Sequence, residues 1–93
     1  MTFIISHKVS LKLIKKHGIK ISEIEECFFN RVKGFLEDKR EQNKTIPPTQ
    51  WFIAKTDSMR LLKIVFIELS GAIIIKTAYE PNYEEVRIYE KHA

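Results

Sequence analysis

Residues 77–93, TAYEPNYEEVRIYEKHA, interleave tyrosines with carboxylates and bases. Rings of this kind stack on splayed bases while Arg and Lys hold phosphates, a combination that suits single-stranded RNA. Cleaving RNA takes a base for the 2′-hydroxyl proton, an acid for the leaving oxygen and cations for the phosphorane. Glu80, Tyr79, Tyr89 and His92 offer the proton transfers, and Arg87 offers positive charge. The structural alternative is that Tyr83, Val86 and Tyr89 form the inner face of a short helix.

A second basic set lies upstream. Arg60, Lys63 and Lys76 fall on strands expected to be neighbours, and Lys63 and Lys76 each interrupt an apolar run. A lysine projecting from a central strand needs water, an anion or a carboxylate, so an exposed sheet face that binds RNA is expected rather than two buried charges. Lys8, Lys12 and Lys15, with Lys16, form a stripe on one helix face that can track a phosphate backbone or meet an acidic partner, an ordinary solvated face being the alternative. His17 falls on the apolar side of that helix and reads as a packed histidine bonded to neighbouring backbone. Histidines at 7, 17 and 92 lack metal-ligand spacing and the single cysteine, Cys27, reads as core, so neither metal nor cofactor is expected. A glycine-rich phosphate loop and a Ser or Cys nucleophile signature are both absent.

Positioning these groups falls to helices followed by strands. Val9, Leu11, Leu13 and Ile14 share an arc opposite the lysines, and Gly18 supplies a left-handed residue to close the helix, which predicts a helix over 6–17. Ser22 and Glu25 read as a capping box for a second helix to about Asn30, with Ile24, Cys27 and Phe28 inward. VKGFLED (32–38) reads as a short strand and KREQNKTIPPT (39–49) as a polar, mobile arm that prolines keep out of helix and ladder. From Gln50 the pattern is strand-like: QWFIA, RLLKIVFIEL and AIIIKTAYE, joined by the turns KTDSM and SG. RLLKIVFIEL, apolar on both faces apart from its charges, belongs at the centre of an antiparallel sheet. Asn82 with Glu85 predicts a last helix to about Lys91, although Val86 and Ile88 also alternate as in a strand. Together these predict one α+β domain over 1–93, with two N-terminal helices packed on one face of a curved antiparallel sheet of about four strands and a short C-terminal helix.

Composition narrows the class. A 93-residue chain that is 44% hydrophobic supports a single packed core. One cysteine excludes an internal disulfide, and a cytoplasmic location is the expectation. The start MTFIISHKVS lacks a basic leader and a cleavage site, and charges break every apolar run, so neither a signal peptide nor a membrane span is expected. The net charge of +4 is uneven: residues 1–20 carry +5, 21–43 carry −2, 44–79 carry +3 and 80–93 carry −2. A basic surface fed by the first helix and the middle strands is implied, and its natural partner is a polyanion.

Three stretches carry a family resemblance. LIKKHGIKISEIEECFF (13–29) resembles the KHGV/I-plus-helix signature near the start of BrnT-like toxins, WFIAKTDSMRLLKIVFIE (51–68) is similar to their middle hairpin, and IIIKTAYEPNYEEVRIYEKH (73–92) to their last strand and terminal helix. The opening, FIISHKVSLKLIKKHGIKISEIEE, is as similar to a related uncharacterised family of small bacterial proteins. The resemblance implies a RelE-like fold and the toxin of a bacterial type II toxin–antitoxin system, a metal-independent mRNA endoribonuclease held inactive by a small antitoxin of ribbon-helix-helix type. The residues that match are Lys16, His17, Gly18, Arg60, Arg87 and Tyr89. The chain departs where BrnT-like sequences end the last strand in arginine, here Tyr79, and precede the aromatic of the second strand with an acid, here Thr49; Lys63 or Lys76 is left to take the arginine's place. The alternative function is a non-catalytic binding protein of the same fold, of mobile-element or phage type, that engages a protein or nucleic acid through its basic face. An oligomer is compatible with either.

Overall fold

The computed structural model describes residues 2–40 and 45–93, in the order β1 (Thr2–Ile4), α1 (His7–His17), α2 (Ile21–Asn30), β2 (Leu36–Glu37), β3 (Thr49–Lys55), β4 (Leu61–Leu69), β5 (Ala72–Tyr79) and α3 (Tyr83–His92). The strands form a single sheet in the order β1-β5-β4-β3-β2. The expected α+β class and the helix, sheet, helix sequence are therefore present. The sheet has five strands and is mixed, because β1 adds to the edge of β5 in parallel while the other pairs are antiparallel. Part of the predicted mobile arm, residues 41–44, lies outside the described residues.

Local signals explain the boundaries. The Ser6 hydroxyl accepts the Val9 N–H at 3.2 Å and starts α1. Gly18, at φ 62° and ψ 35°, ends it and returns its N–H to the Ile14 carbonyl, which lets Ile19 turn inward and become buried. The second helix begins earlier than Ser22, with Lys20 as its cap; the Glu23 carboxylate, not Glu25, reaches back to the Lys20 N–H at 2.9 Å. Helix α3 carries the predicted box in full, the Asn82 side chain accepting the Glu85 N–H at 2.8 Å and the Glu85 side chain accepting the Asn82 N–H at 3.0 Å. The strand alternative for Val86 and Ile88 is not adopted.

Alternation along β3 divides the packing. Phe52 faces α2, where it joins Phe28, Phe35 and Phe66 in an edge-to-face cluster with Phe28–Phe52 centroids at 4.6 Å and Phe35–Phe66 at 4.9 Å. Such pairs add about 0.5–1.5 kcal/mol each beyond the area they bury. Trp51 points the other way and meets Tyr89 of α3 at 5.7 Å. Helix α3 therefore packs on the sheet face opposite α2, so the three helices do not all share one face. Its apolar residues Val86 and Tyr89 need a surface of their own, and Trp51 and Ile53 supply it. Cys27 is buried beneath α2, as expected for core, with burial and nearby carboxylates pushing its thiol up to about 12.

Candidate functional site

The part of the sheet that α3 leaves uncovered forms a cleft. One end, about 340 Å³, is bordered by Thr45, Thr49, Val65, Lys76, Thr77 and Tyr79. The other, about 250 Å³, runs over Trp51 towards Glu85 and Ile88, and Asp38, Arg40 and Lys63 line both. A bulge in β5 builds the first end: Val65 pairs with Thr77 and Phe66 with Ile75, so Lys76 is extra and swings to the exposed side.

Lys63 is the centre of the cleft. It is only 7% exposed, so the open sheet face expected to keep it in water is not what stabilises it. Its Nζ donates to Glu85 Oε2 at 2.7 Å and lies 4.4 Å from the Trp51 ring centroid, a salt bridge and a cation–π contact at once. The Tyr79 hydroxyl donates to the same Oε2 at 2.8 Å. Glu85 thus accepts from Lys63, Tyr79 and the Asn82 backbone, three of a carboxylate's roughly four acceptor positions.

These contacts set the protonation states. Burial pushes the Glu85 carboxyl up, but the hydrogen bonds from Lys63, Asn82 and Tyr79 together outweigh it and hold the group below its usual value. Burial, then the bond to Glu85, raises the Tyr79 phenol above its usual value. At neutral pH the cleft therefore holds a carboxylate beside a neutral phenol, a proton acceptor and a donor in direct contact. Asp38 is held low by the Arg40 guanidinium, which grips both its oxygens at 3.1 and 2.9 Å.

The residues singled out in the sequence are only partly brought together. Lys63, Lys76 and Tyr79 share the cleft. Arg60 serves the helices: it donates to the His17 and Gly18 carbonyls at 2.8 and 2.9 Å, capping α1, and pairs with Glu80 at 3.2 Å and Glu23 at 3.4 Å. Tyr89 is buried and its hydroxyl donates to the Gly34 carbonyl at 2.7 Å. Arg87 pairs with Glu84 on the outer side of α3, and His92 sits exposed in its last turn. Lys8, Lys12 and Lys15 are exposed on α1 and do not line the cleft. His17 is half-buried against Tyr79, ring centroids 6.0 Å apart, with its imidazole held below its usual value by burial and the charges of Lys16, Lys12 and Arg60.

The cleft-lining charged residues that sequence reading passed over are Glu85, Asp38 and Arg40. Glu85 signals its presence only as the acidic member of a capping box, and that role occupies just one of its oxygens. Among the described residues no group of three or more His, Cys, Asp or Glu is placed to hold a metal ion, and no helix is long and apolar enough to cross a membrane. Searches against protein-family models and against curated proteins return no match for this chain.

Proposed function

We propose that this chain binds single-stranded RNA in the cleft and cleaves it there without a metal, as the toxin-like component of a bacterial toxin–antitoxin pair acting in the cytoplasm. The observation that carries the reading is the junction of Lys63, Tyr79 and Glu85, with Lys76 on its rim. In the proposed step the RNA 2′-oxygen attacks the adjacent phosphorus and its proton passes to the Glu85 carboxylate. As the P–O5′ bond breaks, the leaving oxygen takes the Tyr79 proton, and Lys63 and Lys76 bear the charge of the phosphorane. The proton then returns from Glu85 to Tyr79 along their 2.8 Å hydrogen bond, restoring both groups. The products are a 2′,3′-cyclic phosphate and a 5′-hydroxyl.

A second reading, a non-catalytic RNA-binding protein of the same fold, is favoured by the position of Arg87, Tyr89, Glu80 and His92 outside the cleft. Expression in bacteria with and without the neighbouring open reading frame separates the two. Growth arrest relieved by the neighbour and lost in Tyr79→Phe supports the nuclease; harmless expression of a protein that retains RNA affinity supports the binding protein.

A further inference from the structure

The outer faces of α1 and α2 complement each other. Helix α1 carries Lys8, Lys12, Lys15 and Lys16 and no acid, and Leu11 and Ile14, expected on its inner arc, are exposed while Leu13 alone is fully buried. Helix α2 carries no base; Glu23 is held by the Lys20 N–H and Arg60, which leaves Glu25 and Glu26 as its outward acids. Its outer line runs Ile21, Glu25, Phe29, one helical turn apart, and Phe29 is 90% exposed. Beside that line lies a mostly apolar groove of about 500 Å³ whose rim bears Glu25, Glu26 and Asp57.

A benzyl side chain left in water forgoes about 1.5–3 kcal/mol of burial, and an apolar groove with an acidic rim fits a helix of alternating lysine and aliphatic residues. Helix α1 is such a helix. Within one molecule it cannot reach the groove, because its buried side is committed to β5 through Leu13. We infer that a second copy of this chain docks here, α1 of each protomer laid on α2 of the other about a two-fold axis, with Leu11 and Ile14 against Phe29 and the lysines over Glu25 and Glu26. Each protomer carries both helices, so the two contacts repeat each other as the same pair of surfaces, the form of an isologous dimer. The α1 lysines then serve assembly, and the cleft stays on the far side of the sheet from α2.

Sedimentation velocity of the full chain tests this, independently of any RNA. The wild type is expected at twice the 11.0 kDa protomer mass, with a dissociation constant that weakens as salt rises. The variant Lys8→Glu/Lys12→Glu/Lys15→Glu and the variant Ser22→Lys/Glu25→Lys each sediment as monomers of native circular dichroism, weakened about tenfold or more. Glu26 is left unchanged because it accepts the Asp57 N–H at 2.9 Å. Mixed together, the two variants form a heterodimer, since each reversed face then meets its complement. A monomeric wild type, a dimer indifferent to both reversals, or a mixture that stays monomeric overturns the inference.

Discussion

Glu85 Oε2 accepts hydrogen bonds from Lys63 Nζ at 2.7 Å and from the Tyr79 hydroxyl at 2.8 Å, so one oxygen of a helix-capping residue ties α3 to the central strand β4 and its neighbour β5. The same atom neutralises a buried lysine and holds a phenol. The stability of the sheet and the chemistry proposed for its cleft therefore meet at Glu85.

Removing that carboxylate is expected to cost more than removing the lysine. Glu85→Gln leaves a 7% exposed ammonium without its counter-charge and should lower unfolding stability by about 2–3 kcal/mol. Lys63→Met leaves Glu85 with Tyr79, Asn82 and water and should stay within about 1 kcal/mol of the parent. Urea titration of both variants checks the order.

The depressed Glu85 carboxyl has a consequence for pH. The group binds its proton less readily folded than unfolded, so its contribution is complete above the unfolded carboxyl value of roughly 4.5 and is lost as pH falls through the lower folded value. Asp38, also depressed, acts in the same direction. Thermal unfolding of Glu85→Gln is expected to show a shallower acid dependence than that of the parent, measured between neutral pH and pH about 3.

Arg60 is expected to behave as a structural clamp. A lysine ammonium cannot span the His17 and Gly18 carbonyls together with Glu23 and Glu80, so Arg60→Lys should destabilise by about 2 kcal/mol while RNA affinity of the folded fraction is unchanged. Chemical denaturation combined with filter binding reads both quantities.

Lys76 should show the opposite profile. It is exposed on the β5 bulge, so Lys76→Ala should shift stability by no more than about 0.5 kcal/mol. If its ammonium meets one phosphate, the slope of log affinity against log salt falls by about 0.7. Fluorescence anisotropy with a labelled single-stranded RNA measures the slope.

Features legible in the sequence are those whose cause is local. The Asn82–Glu85 box, the Gly18 terminator and the strand-like runs from Gln50 onward each depend on residues a few positions apart, and each is present. Strand β1 was illegible because Thr2–Ile4 takes its partner, Ala72–Ile74, from the far end of the chain. Lys63 was legible as an anomaly, an ammonium in an apolar strand, but its counter-charge and its tryptophan arrive from α3 and β3 through tertiary packing. The same limit applies to Arg60: its type and position in the sequence fit a phosphate ligand, and only the fold brings two helix-end carbonyls within reach.

Proton transfer by Tyr79 and Glu85 in RNA cleavage stands or falls with Tyr79→Phe. This variant keeps the ring beside His17 and Lys63 and removes only the hydroxyl that donates to Glu85. Incubating single-stranded RNA with wild type and Tyr79→Phe in the presence of EDTA, with binding followed in parallel, gives the comparison. Wild-type products are expected to end in 2′,3′-cyclic phosphate, and the variant is expected to cleave about 10²–10⁴-fold more slowly at equal RNA affinity. RNA left intact by the wild type, or cleaved equally by both proteins, would contradict that proton transfer.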